Sequence, residues 1–148
     1  TVSGLSAGGK GRFVTSNARI TVENCVFGSL AAKTSNGPIT LSGVTGGDCE
    51  AASNNARITA EHCRFAEKLW MQTSNGPVRA EDVEAPDLTF KTANAAITGT
   101  VVGDMRDYAI SSRTSNAQNN LPMDCAYEDQ AKRLWATTSN GRIDVRFV

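Results

Sequence analysis

The sequence predicts an all-β protein: a single-domain parallel β-solenoid (β-helix) of about seven coils, with roughly 19–24 residues per coil. Three observations predict this class. A short polar corner peptide recurs seven times, apolar and polar residues alternate on both sides of it, and the composition is rich in Thr, Ser, Asn, Gly and Val. These residue types are common in strands and tight turns. The repeat is also too short for helix pairs or propeller blades, which recur at roughly 34 and 40–50 residues.

The corner peptide has the form [TS]-x-N-[AG], as in TSNGPI at 34–39 and TSNGPV at 73–78. Successive asparagines are separated by 19, 19, 20, 19, 22 and 24 residues. They are Asn17, Asn36, Asn55, Asn75, Asn94, Asn116 and Asn140. Stacked coils would align these side chains in an asparagine ladder at one corner. We expect the Thr or Ser and the Asn of each corner to point inward, where the ladder satisfies polar groups whose burial otherwise costs about 1–3 kcal/mol each.

Apolar residues recur at fixed distances from each Asn, in steps of two that match the strand period. We expect these columns to form the core, with Thr, Arg, Glu, Ser, Lys and Gln facing solvent between them. The column eight residues after the Asn contains Cys25, Val44, Cys63, Val83, Val102, Asp124 and Val148. A β-meander or sandwich is the alternative, because Asn-Gly is also a hairpin signal. The segments between the corners share no second turn motif, which favours the solenoid.

One domain is expected over residues 1–148, with a partial N-terminal coil at 1–14 and an irregular insertion at 118–132 in the sixth coil. There Asn119 replaces the usual Ile, and Pro122 follows. We expect a bulge or protruding loop, with a short helical turn in CAYEDQAKRLW. Irregular loops on regular scaffolds often carry function, so the insertion is a candidate functional segment, although a tolerated insertion is the simpler interpretation.

Charge and hydropathy argue against two classes of partner. Fifteen Lys and Arg balance fifteen Asp and Glu, so the net charge is zero. Bulk attraction to nucleic acid or to a membrane surface needs a basic excess. No apolar run approaches the roughly 20 residues of a membrane span. We therefore expect no nucleic-acid partner and no membrane insertion. The N-terminal segment TVSGLSAGGKG has none of the features of a signal peptide.

The cysteines and the single histidine do not form a recognisable catalytic or metal-binding pattern. Cys25 and Cys63 fall in one inward column two layers apart, ~9.6 Å, which is beyond the reach of a disulfide. We interpret them, with Cys49 and Cys125, as small apolar core residues, and place Cys125 near the same column. The C-x₂-C spacing of zinc sites is absent. His62 is interpreted as an exposed strand residue, and no catalytic, cofactor-binding or metal-binding residue is predicted.

The outward positions after the corner predict a flat polar face that could contact a glycan or a protein. Its residues are Arg19, Thr21, Thr40, Arg57, Thr59, Arg79 and Thr98. A solvated sheet face with weak cross-strand ion pairs is the alternative. An ice-binding surface would need regular Thr-x-Thr ranks without charges, and only Thr98-x-Thr100 has that form.

The peptides TSNGPI, TSNGPV and TSNGRIDVRFV resemble the recurrent T-S-N-G-x-I unit of an adhesin β-solenoid family, a domain of unknown function found in bacteria and fungi. The resemblance extends over residues 13–148, and the Ala variants of the corner and the long sixth coil depart from it. It implies a non-catalytic scaffold that is secreted or at the cell surface, and it provides no catalytic residues. Unpaired cysteines are compatible with the cytoplasm.

Two hypotheses about function follow. The first is a non-enzymatic, structural or adhesion-type solenoid that presents a flat face or loop to a partner. Because neither end of the chain shows a capping segment, this hypothesis includes self-assembly into homo-oligomers or end-to-end filaments. The second is a small enzyme resembling polysaccharide lyases. Such enzymes need clustered carboxylates, and RAEDVEAPD at 79–87 is the acidic cluster that the sequence offers.

Overall fold

The computed structural model describes residues 1–125 and 130–148 and confirms the predicted parallel β-solenoid. Six of the seven coils contribute one strand to each of two sheets, and the sixth contributes strands to sheet B alone. Sheet A contains β1 (Val2–Ser3), β3 (Ile20–Glu23), β5 (Ile39–Ser42), β7 (Ile58–Glu61), β9 (Val78–Val83), β11 (Ile97–Val101) and β15 (Ile143–Phe147). Sheet B contains β2 (Ser6–Val14), β4 (Val26–Lys33), β6 (Thr45–Ala52), β8 (Arg64–Gln72), β10 (Asp87–Lys91), β12 (Tyr108–Arg113), β13 (Asp124–Cys125) and β14 (Lys132–Thr137). A 3₁₀ helix, Met105–Asp107, precedes β12.

The core consists of the inward columns that the alternation predicts. In sheet B, Cys49, Leu69 and Leu88 stack in register and are fully buried. Three predicted core positions, all in the column that contains Cys25, are wrong. Asp124 is exposed on β13. Val101, not Val102, joins the column of Val83, because the pairing of β9 and β11 shifts by one residue after Gly99. Val148 is 64% exposed rather than buried.

The last two coils are stacked in the reverse of their chain order. In sheet B, Leu134 of β14 is in register with Leu88 of β10 on one side and with Ile110 of β12 on the other. In sheet A, β15 pairs directly with β11. Five coils therefore wind in chain order, after which the chain skips one layer to form β12. It then returns, and β14 and β15 occupy the layer that was skipped.

The asparagine ladder is present, but its position and its order differ from the expectation. Asn36 Nδ2 donates to Asn17 Oδ1 at 2.7 Å, and the same contact recurs through the stack at 2.6–2.8 Å. After Asn94 the ladder continues with Asn140 and then Asn116. All seven asparagines are exposed, so the expectation that they point inward is wrong. Because these hydrogen bonds compete with water, each contributes less than a buried one.

The buried polar column of this corner consists of the Thr or Ser two residues before the Asn, which is buried in five coils and half-buried at Thr15 and Thr114. Thr73 is 2% exposed. Its Oγ1 accepts from the Gly76 backbone N at 3.3 Å and donates to the carbonyl oxygen of Ala56 in the preceding coil at 3.2 Å. Thr138 makes the two equivalent contacts: its Oγ1 accepts from the Gly141 backbone N and donates to the carbonyl oxygen of Ala95 in the neighbouring coil. The hydroxyls of Ser53, Thr73 and Thr138 thus close their own turns and also bind them to the neighbouring layer.

Thr73→Val is expected to lower the free energy of unfolding by about 1–3 kcal/mol, because it removes the hydroxyl from a buried site and leaves polar backbone groups without that partner. Urea unfolding followed by circular dichroism measures the loss. Asn75→Ala, two residues away on the exposed ladder, is the matched control and should cost about 1 kcal/mol or less. A larger loss for Asn75→Ala would contradict the assignment of the buried column.

A second corner joins each sheet A strand to the next sheet B strand, and the repeat pattern did not predict it. At five of these corners one residue has a left-handed φ between 50° and 66°. These residues are Gly4, Asn24, Gly43, His62 and Asp82. Gly, Asn, Asp and His are the residue types that adopt this conformation most readily. The placement of His62 in a strand is therefore wrong. Its side chain is exposed at the corner, with Nε2 3.5 Å from Asp82 Oδ2.

The described part of the predicted insertion, 118–125 and 130–132, closes one end of the solenoid instead of protruding. Asn119 bridges to Ile143, and β13 pairs with β12 in the antiparallel direction. The side-chain amide of Asn120 donates to the Val145 carbonyl oxygen at 2.9 Å and accepts from the Val145 N at 3.0 Å. The amide thereby takes the place of a peptide group on the neighbouring strand. The sixth coil covers the edge of β15 in this way.

The helical turn expected in CAYEDQAKRLW is wrong for the described part of that segment. Cys125 belongs to β13, and Lys132–Thr137 form β14. Residues 126–129 of the segment lie outside the described residues. β14 pairs with β10 on one side and β12 on the other. These contacts join distant parts of the chain, so a local sequence pattern does not reveal them.

The cysteines behave as the core residues predicted, with one exception. Cys25, Cys49 and Cys63 are buried free thiols. Burial raises the pKa of the Cys49 and Cys63 thiols, so both stay protonated at neutral pH. Cys125 is half-buried and lies opposite Ile110, away from the column of Cys25, so its predicted place is wrong.

Candidate functional site

The partner face predicted from the sequence lies on the outer surface of sheet A. Five of its residues stand opposite one another on successive strands: Thr21, Thr40, Thr59, Arg79 and Thr98. The other two, Arg19 and Arg57, are exposed just before β3 and β7. The structure thus brings the predicted residues together on one side of the sheet.

Charges on the sheet A face largely neutralise one another. Its outward positions carry five basic and four acidic side chains. Arg79 Nε donates to Glu81 Oε1 at 2.9 Å, which raises the pKa of the guanidinium. Arg146 Nε lies 3.6 Å from Asp144 Oδ1. Exposed pairs of this kind contribute little to stability, and they leave the face nearly neutral.

The outer face of sheet B has a different character, and we call it the aromatic face. Its side chains form three rows that run across the strands. The first row is Lys10, Ser29, Asp48, Lys68, Asp87, Arg133 and Ala109. The second row is Arg12, Ala31, Glu50, Trp70, Thr89, Trp135 and Ser111. The third row is Val14, Lys33, Ala52, Gln72, Lys91, Thr137 and Arg113.

Both tryptophans of the chain lie in the second row of this face. Trp70 is in register with Thr89, and Thr89 with Trp135, so the two tryptophans are two layers, or ~9.6 Å, apart. Trp135 is 59% exposed and Trp70 is half-buried. Exposed tryptophans on a flat surface are common in binding sites, because a large rigid ring contacts a partner at a low entropic cost.

An open groove of about 660 Å³ extends from Trp135 toward the end of the solenoid. Its lining includes Thr89, Ser111 and Asp124. Ser111 Oγ donates to Asp124 Oδ1 at 2.9 Å, and this pair forms the far wall. The groove makes the surface beside Trp135 concave.

The aromatic face is basic. Its three rows contain seven Lys or Arg and three carboxylates, and Asp124 of β13 continues the second row beside Ser111, which leaves an excess of three positive charges. Two of the carboxylates are paired: Glu50 with Lys33 at 2.9 Å and Asp87 with Arg133 at 2.8 Å. The third row carries cations and no carboxylate. The chain as a whole is neutral, so this face concentrates positive charge that is balanced elsewhere.

Sequence reasoning missed the tryptophan pair because it assumed that the coils stack in chain order. Trp70 and Trp135 stand at the same position, five residues before Asn75 and Asn140. In chain order three layers would separate them. The exchange of the last two coils reduces this to two layers and places Thr89 alone between them. The aligned repeats show that both tryptophans occupy the same position, but the distance between them depends on the stacking order.

Three further features of the described residues concern metal binding, membrane spans and the acidic cluster. No group of three or more His, Cys, Asp or Glu side chains lies together where it could hold a metal ion, within residues 1–125 and 130–148. In the same part of the chain no helix has the length and hydrophobicity of a bilayer span. Three carboxylates of the predicted acidic cluster have an arginine partner: Glu81 pairs with Arg79, Glu84 with Arg64 and Asp87 with Arg133.

The fold and faces define a class of protein, a parallel β-solenoid with an external asparagine ladder and one basic, aromatic face. Comparison of the chain with protein-family models, with curated proteins and with solved structures found no match in any of the three.

Proposed function

We propose that this protein is a non-enzymatic, adhesion-type β-solenoid whose aromatic face binds an extended glycan. The observation that carries the proposal is the pair of tryptophans, Trp70 and Trp135, placed on one flat face of a rigid sheet. Sugar rings present one face of C–H groups, which pack against indole rings, and their hydroxyls hydrogen-bond to side chains such as Thr89. The outward positions of the sheet A face lack aromatic residues and their charges nearly balance, so this face supports the role less well.

Replacing Trp70 or Trp135 with alanine is expected to weaken polysaccharide binding roughly thirtyfold each, because truncation of a tryptophan at a binding hot spot typically costs about 2 kcal/mol or more. Affinity electrophoresis against a panel of neutral and acidic polysaccharides measures this loss. Both side chains face outward, so thermal unfolding of the variants should stay close to that of the parent.

Arg79→Ala, on the opposite face, is the matched control and should bind as the parent does. Loss of binding in Arg79→Ala, with none in the tryptophan variants, would assign the site to sheet A. Release of reducing ends or of unsaturated products from any bound polysaccharide would support the enzymatic alternative and contradict the proposal.

Self-assembly through the ends of the solenoid remains a separate hypothesis. Filament growth needs unpaired parallel edges at both ends. At the end formed by the sixth coil, β13 and Asn120 occupy part of that edge. Light scattering over a dilution series tests the hypothesis, and a mass that does not depend on concentration would contradict it.

A further inference from the structure

The direction of the tryptophan pair constrains how a glycan would lie. The row Trp70–Thr89–Trp135 crosses the strands, so it runs along the solenoid axis. Consecutive layers are ~4.8 Å apart. The rise of one pyranose unit in an extended polysaccharide is close to this spacing. A linear glycan aligned with the axis therefore places alternate sugar rings over the two indoles and the intervening ring over Thr89.

A cation lies beside this intervening position. Lys91 follows Thr89 by two residues on β10, points to the same side and is exposed. Its neighbours in the third row, Gln72 and Thr137, are uncharged. On the other side of Thr89, Asp87 is paired with Arg133 at 2.8 Å. The amine of Lys91 is thus the positive charge available to a ligand group over Thr89.

Resting on the glycan-binding function above, we propose that the ligand is an acidic polysaccharide that lies along the solenoid axis on Trp70 and Trp135, with one of its acidic groups at Lys91. The positive excess of the aromatic face complements a chain that carries charge at regular intervals. Arg113 extends the third row in the same direction. Asp48 and Asp124 lie outside the interval between the tryptophans, where their charges limit the length of the site.

A single-stranded nucleic acid also combines negative charge with rings that stack on aromatic side chains. Its phosphates occur at every nucleotide, and such proteins carry a continuous basic groove. Here two of the seven cations, Lys33 and Arg133, are paired with carboxylates, and the chain has no net charge. These observations favour the polysaccharide, and the nucleic acid becomes an outcome of the test.

The test uses matched polysaccharides that share a backbone and differ in charge. One pair is carboxymethylcellulose and hydroxyethylcellulose, and the other is polygalacturonate and its methyl ester. For at least one pair, titration calorimetry of the full chain at low salt should show the acidic member binding about tenfold more tightly, the difference expected from one hydrogen bond to a charged group. Added salt should reduce this difference.

Lys91→Gln should remove most of the preference for the acidic member, lowering its affinity about tenfold and leaving that of the neutral member unchanged. Lys33→Gln is the matched control. It makes the same change of charge in the same row, but three layers away and beside Glu50, and it should retain the preference. Both side chains are exposed, so neither change threatens the fold.

The outcomes separate the two proposals. Equal binding of acidic and neutral members, lost in the tryptophan variants and unaffected by Lys91→Gln, overturns the acidic class and leaves glycan binding in place. No binding of any polysaccharide overturns the proposed function itself. Tighter binding of oligo(dT) than of every polysaccharide, dependent on Trp70 and Trp135, overturns both in favour of a nucleic-acid ligand.

Discussion

Replacing Leu134 with alanine is expected to lower the free energy of unfolding by roughly 2–5 kcal/mol. Leu134 is 1% exposed and packs between Leu88 and Ile110 in the layers on either side. Truncation leaves a cavity that both neighbouring coils line. If the coils followed chain order, β14 would form the last layer, and one side of Leu134 would face the end of the solenoid. Denaturant unfolding measures the loss. Trp135→Ala, on the outward side of the same strand, should cost about 1 kcal/mol or less.

Engineered cysteine pairs test the same exchange of coils without relying on stability. Lys91 and Thr137 are in register on adjacent strands, ~4.8 Å apart, which is within disulfide range. Lys91 and Arg113 would be neighbours in chain order but lie two layers apart, ~9.6 Å, in this structure. Oxidation of the Lys91→Cys/Thr137→Cys variant should therefore give a cross-link, and Lys91→Cys/Arg113→Cys should not. Peptide mapping under non-reducing conditions reads the result, and the opposite pattern would contradict the exchange.

Most of the scaffold could be predicted from the sequence because parallel stacking brings equivalent positions of the repeat into contact. Leu69 and Leu88 stand at the same distance from their asparagines, so their contact follows from the period alone. The direction of each corner side chain does not follow from it. Strand alternation stops at the corner, and there Thr73 turns inward and Asn75 outward.

The stacking order of the last coils could not be predicted from the repeat period. The period shows which residues form each coil, but it does not show where that coil lies in the stack. One sequence feature does indicate the stacking order. The residue after each Asn alternates between Ala and Gly through the stack: Ala18, Gly37, Ala56, Gly76, Ala95, Gly141 and Ala117. In chain order two alanine coils would be adjacent. The reason for the alternation is steric, because each Gly lies against the carbonyl group of the Ala in the coil before it.

The candidate site depends on that order. Trp70 and Trp135 belong to the fourth and seventh coils, and nothing local to either residue indicates that they lie two layers apart, with only the layer of Thr89 between them. The pairing of β10 with β14 brings them onto the same part of the aromatic face. Residue types at a repeat position can therefore be predicted, while their distance apart on the surface needs the long-range topology.

Gly76→Ala is expected to be strongly destabilising, by about 3 kcal/mol or more, because the added methyl group overpacks a rigid contact. A Cβ at Gly76 would lie 2.0 Å from the Ala56 carbonyl oxygen and 2.8 Å from the Arg57 backbone N. These atoms belong to the backbone, so they can move only if the two coils separate at the corner. Separation would also lengthen the hydrogen bond from Thr73 to Ala56. Thermal and urea unfolding should both show the loss.

Ala95→Gly, at the same corner position in the next coil, is the matched control. It removes a methyl group where the stack accepts one, and its cost should be about 0.5–1 kcal/mol from the added freedom of the unfolded chain. The alternation predicts a large difference between these two variants although they exchange the same pair of residues. Similar losses for both would mean that the corner does not discriminate between Gly and Ala, and the steric account of the coil order would then fail.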